Sequence, residues 1–82
     1  MQRIIVSPKD IGIVLRDLRK EKGMTQAELG RRVGLDQQKV SLIENGNPNT
    51  RLDSLFRLLS ALDTGLLVQS KTDFGKLDGD AW

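Results

Sequence analysis

Two helix starts lie eleven residues apart in this chain, and that spacing constrains the fold more than any other feature. Thr25-Gln26-Ala27-Glu28 has the pattern of a capping box, a hydroxyl that accepts from the backbone three residues on and an acid that reaches back. Asp36 is the next residue suited to an N-cap, and Gly34 stands just before it, where a helix ends in a left-handed residue. Residues 25–44 therefore read as helix, tight turn, helix. Leu29, Val33, Leu35, Val40 and Ile43 supply the apolar positions, and Gly30 is small where the two helices approach. A turn this short crosses its helices steeply and leaves the start of the second one free to project into a groove.

The flanking segments supply the rest of a core. Ser7, Pro8 and Asp10 mark a helix start, and Ile11, Val14, Leu15 and Leu18 recur at helical spacing. Gly23 closes a helix expected over residues 8–22. Thr50-Arg51-Leu52-Asp53 opens a further helix with Asp53 at the capping-box position, and Leu52, Leu55, Phe56, Leu59 and Leu62 form its expected buried stripe. Asp63-Thr64-Gly65 breaks the chain. Residues 3–6 and 66–70 are brief, apolar or β-branched, and suited to short strands if a partner strand is found. The expected fold is mainly all-α, a compact bundle of four to five helices, with a short C-terminal strand for dimerisation. Residues 1–70 form the expected folded unit, and residues 71–82, polar and glycine-containing, a disordered tail.

At 82 residues the chain makes one domain with a marginal core. It has no Cys and no His, so disulfides and the usual zinc sites are excluded as supports. No cofactor is expected, and oligomerisation is the remaining route to stability. No phosphate loop or catalytic constellation is visible, since Asp10, Asp36 and Asp53 are explained as helix-start residues, so an enzyme is not expected. Residues 1–62 hold eleven basic and seven acidic residues, and residues 63–82 two basic and four acidic. A basic body with an acidic tail suits nucleic acid, though an ordinary solvated surface has the same balance. Secretion and membrane-length segments are not apparent, which fits a cytoplasmic protein.

The polar start of the second helix of the pair is where base recognition is expected. Gln37, Gln38, Lys39 and Ser41 are its exposed positions, and Gln bonds adenine through two hydrogen bonds in the major groove. Thr25 and Gln26 stand at a helix N-terminus that suits phosphate. Asn45 and Asn47 are further phosphate candidates, although turn chemistry accounts for them equally well. Arg31 and Arg32 read as a solvated face.

The run from Thr25-Gln-Ala-Glu-Leu-Gly to Val40-Ser-Leu-Ile-Glu-Asn-Gly46 resembles the phage-repressor and Cro type of helix-turn-helix, and the likeness extends over about residues 8–62. One position departs from the pattern: Gly30 stands where that family usually has Ala. Val6-Ser7-Pro8, the loop 44–50, the apolar segment after the last helix and the terminal Trp82 are similar to HipB-type antitoxins. Asp36 is a second departure, since it stands where the known example of the HipB-type antitoxins has a basic residue. This resemblance implies a homodimeric repressor that binds double-stranded operator DNA at the nucleoid and neutralises a HipA-type serine/threonine kinase toxin. It implies that Gln26 binds phosphate and that Arg19 pairs with Glu44. Leu66, Leu67 and Val68 are the expected dimerisation residues and Trp82 the expected anchor for the partner. A stand-alone phage-type repressor, or an interaction module with this fold, is the alternative.

Overall fold

The computed structural model describes residues 3–70 of the chain. Four helices follow one another: α1 (Pro8–Glu21), α2 (Gln26–Val33), α3 (Gln37–Glu44) and α4 (Leu52–Ala61). Three have side-chain N-caps. Ser7 accepts from the Asp10 N–H, Thr25 and Glu28 close a reciprocal capping box, and Asp36 accepts from the Lys39 N–H. Each satisfies backbone donors that a helix start leaves open.

The helix α4 starts differently from the sequence-based expectation. Its N-cap is Arg51, which makes no side-chain capping bond. The Thr50 hydroxyl donates instead to the Asn47 carbonyl at 2.9 Å, and Asp53 pairs with Arg51 and Arg57. Its buried face is also rotated. Ser54, Leu58, Leu59 and Leu62 are buried, whereas Leu52 is 69% exposed and Phe56 50%. Leucines crowd both sides of α4, so spacing alone does not single out the inward one.

The core is Leu15, Met24, Leu29, Val40, Ile43, Leu58, Leu59 and Leu62, so every helix contributes to it. The pair α2–α3 packs across the turn at Gly34, whose φ of 76° is a left-handed conformation that costs glycine nothing. From α4, Arg57 donates to the Val33 carbonyl at 2.7 Å and so caps the C-terminal end of α2. The approach of α1 to α3 is closest at Gly12. A Cβ there would lie 2.5 Å from the Glu44 carbonyl oxygen and 2.7 Å from that of Ile43.

Residues 3–6 and 66–70 form no strand in the single chain. A strand requires a neighbouring backbone, and these segments do not pair with each other. Both instead border one groove of about 830 Å³, together with apolar residues of α1 and α4. Leu66, Leu67 and Val68 are 50%, 80% and 94% exposed there. The expected tail, with Trp82, lies outside the described residues.

Candidate nucleic-acid interface

Short turns on both sides of α3 bring its polar face to the surface beside the start of α2. Gln37, Gln38 and Lys39 occupy its first turn and are exposed, while Val40 behind them is fully buried. Val40 thereby fixes the rotation of α3 and leaves the three polar residues facing outward. Among the described residues the side chains of Gln38 and Lys39 bond to no protein group. Ser41 is half-buried, and Leu42 is 53% exposed one turn beyond Gln38.

The residues expected at phosphates surround this face. The Thr25 Oγ1 accepts from the Glu28 N–H at 3.0 Å, which leaves its own hydroxyl proton available. The Gln26 Nε2 donates to Glu44 Oε1 at 3.0 Å, and a second hydrogen remains on that nitrogen. The Asn45 Nδ2 turns back to the Ser41 carbonyl at 2.9 Å, and Asn47 Oδ1 accepts from the Asn49 N–H at 3.0 Å. Both asparagines thus serve the turn after α3.

A polar chain runs inward from the exposed start of α3. Gln37 Nε2 donates to Gln26 Oε1 at 3.2 Å, Gln26 donates to Glu44, and Glu44 receives Arg19. The last pair is bidentate: Arg19 Nε reaches Oε2 at 2.7 Å and Nη2 reaches Oε1 at 3.0 Å. The remaining Arg19 nitrogen donates to the Met24 carbonyl at 2.8 Å. Both charged residues are buried, at 8% and 6% exposure, and the hydrogen bond that Arg19 donates to Glu44 is the main cause that raises the Arg19 pKa above its ordinary value. No described side-chain polar atom is left buried without a partner. The link between Gln26 and Glu44 had no sequence signal, because the residues are eighteen apart and belong to separate helices. Leu42 was missed because it is apolar within a helix that also supplies the core.

Glu28, at the rim, has its pKa lowered, first by the hydrogen bond it accepts from the Thr25 backbone. Among the described residues no cluster of His, Cys, Asp or Glu is suited to a metal ion, and no helix is long and apolar enough to cross a membrane.

Known proteins share this arrangement. Residues 15–68 match the protein family described as Helix-turn-helix. The antitoxin HipB of Escherichia coli (strain K12) is 32% identical over 64 residues, which are 78% of this chain and 73% of HipB. The ImmF control region 10 kDa protein of Bacillus phage phi105 is 36% identical over 65 residues, 77% of this chain and 72% of the phage protein. In a solved HipA–HipB–O2–O3 complex, a chain superposes with a TM-score of 0.77 at 31% identity. The alignment covers 84% of this chain and 97% of that one.

Proposed function

The chain belongs to the helix-turn-helix family, and from that premise we propose that it is a sequence-specific DNA-binding repressor that acts as an antitoxin. The observation that carries the reading is the first turn of α3, where Gln37, Gln38 and Lys39 stand exposed on a helix held by a buried valine. An α-helix fits the major groove, and Gln and Lys side chains there reach base edges. Ser41 adds a hydroxyl and Leu42 an apolar surface for a thymine methyl group. Around them, Thr25 and Gln26 retain donors for phosphate at the N-terminus of α2. Asn45 and Asn47 act at phosphates through the side-chain amide hydrogens that their turn leaves free, since their backbone N–H groups donate to Ser41 and Leu42.

The antitoxin part rests on the similarity to HipB along most of the chain, and on the solved complex in which HipB and HipA occur together. The corresponding partner here is a HipA-type kinase toxin. Trp82 is its proposed anchor, at the end of a tail over residues 71–82 that follows a folded unit over 1–70. A second copy of the chain completes the DNA-binding form through Leu66, Leu67 and Val68. No enzymatic role and a cytoplasmic, nucleoid-bound setting go with this reading.

The test is selection of preferred duplexes from a randomised library by the full chain, followed by affinity measurements on the selected site and on random DNA. Gln38→Ala should cost about 1–3 kcal/mol on the selected site and relax preference at one position. An equal loss on both duplexes would remove Gln38 from base readout. Affinity for either duplex should fall with salt, as phosphate contacts require.

A further inference from the structure

We infer that the buried carboxylate of Glu44 sets, through Gln26, which way the amide of Gln37 faces DNA, so that Glu44 is a positioning residue for base readout as well as half of an ion pair. The inference rests on the DNA-reading function proposed above. Its basis is a chain of three side chains in which each orientation determines the next.

An ionised carboxylate accepts hydrogen bonds and donates none. Arg19 donates to both oxygens of Glu44 through two short bonds in a buried site, and Glu44 acts there only as an acceptor. Gln26 approaches Glu44 Oε1 to 3.0 Å and so must present its NH₂ group. The carbonyl oxygen of the Gln26 amide is thereby turned toward Gln37, which in turn must donate. A reversed Gln37 would set oxygen against oxygen. One N–H and the Oε1 lone pairs of Gln37 remain for DNA, the donor and acceptor that the adenine edge requires. The relay also joins the two ends of α3, since Gln37 is its first residue and Glu44 its last. The amide is therefore ordered before any duplex arrives, and binding does not have to order it.

A neutral amide in place of Glu44 removes the determinant, because it can donate or accept. Gln26 and Gln37 then have two self-consistent orientations, and Gln37 offers two different faces to the base.

The experiment uses the full chain and the duplex it selects from a randomised library. The readout is the ratio of affinities for that duplex and for each single-base substitution of it. In Gln37→Ala, the ratio at one base pair falls by roughly ten- to a hundredfold. In Gln26→Ala the ratio at the same base pair falls by roughly threefold or more, while the ratios at positions read by other residues stay unchanged. Adding Gln26→Ala to Gln37→Ala lowers the ratio no further. Glu44→Gln, measured below its melting temperature, reproduces the loss at that base pair. If Glu44→Gln does not fold, the cycle between Gln26 and Gln37 decides. Full additivity in that cycle, a ratio unaffected by Gln26→Ala or by a folded Glu44→Gln, or ratios lowered alike at all positions would overturn the relay. A wild-type chain with no preferred duplex would overturn the proposed function itself, whereas a preference that survives Gln37→Ala intact would overturn the relay alone.

Discussion

At the scale of single residues, burial decides how much a charge contributes. Arg19 and Glu44 are buried together, so removing one member leaves the other with a desolvation cost that nothing offsets. Glu44→Ala should lower stability by about 3–5 kcal/mol, a large share of the roughly 4–12 kcal/mol expected for a chain of this length. Arg19→Met combined with Glu44→Leu should restore most of it, because an apolar pair of similar volume carries no such cost. Denaturant titration of both variants checks this, and a mild Glu44→Ala phenotype would count against a strong pair. Glu28 provides a pH-dependent contrast. Its pKa is depressed in the folded state, so its capping bond contributes stability above the ordinary carboxylate value of about 4.3. That contribution is lost as pH falls through the lower folded value. Gln retains the capping geometry without the titration, so Glu28→Gln should melt with less difference between neutral and acid pH than the parent chain. Much at this scale was legible in the sequence: Ser7, Thr25 and Asp36 declare themselves as caps because a cap acts on its own next few residues. The partners of Gln26 were not legible, since they come from helices that only the tertiary fold brings together.

At the scale of elements, the helices were legible and their faces less so. Gly34 and Gly23 mark ends that the structure retains, both with positive φ. The face of α4 was misjudged because Leu52 and Phe56 satisfy the same spacing as Leu55, Leu59 and Leu62, and only packing against α2 distinguishes them. Gly12 passed unnoticed for the opposite reason. A glycine in mid-helix carries no pattern, yet here it is the point where α1 meets the end of α3. Alanine is the better helix former by about 1 kcal/mol. Gly12→Ala should nevertheless destabilise the protein by about 1–3 kcal/mol, because the obstructing atoms all belong to the backbone carbonyls of Ile43 and Glu44 and α1 must shift. Thermal melts decide the sign: a rise in Tm would show that the helices separate at little cost. The left-handed Asp63, with φ of 54°, ends α4 at a position usually given to glycine.

At the scale of the molecule, the single chain leaves an apolar flank uncovered. Ile4, Ile5 and Val6 at one end and Leu66, Leu67 and Val68 at the other are all more than a third exposed, and both segments border the same groove. A two-fold dimer that reads half-sites one turn of DNA apart needs its two α3 helices about 34 Å apart, and this flank is the proposed contact. If the proposed dimer forms through this flank, the full chain should sediment as a dimer at micromolar concentrations and a chain ending at Gly65 as a monomer. If it remains dimeric, the contact lies elsewhere. The sequence suited these segments to short strands, paired with each other or with a second copy, and within the chain they form none. The contact between α1 and α3 has a further consequence for how the protein is made. The ion pair spans twenty-five residues of chain, so α1 is synthesised before Glu44 has been joined to it. At about 5–20 residues per second, that interval lasts roughly one to five seconds. A helix of fourteen residues is marginal alone in water, and α1 spends this time with neither its charge nor its apolar face matched. Translation must pass Leu62, the last residue of the core, before the whole core can close.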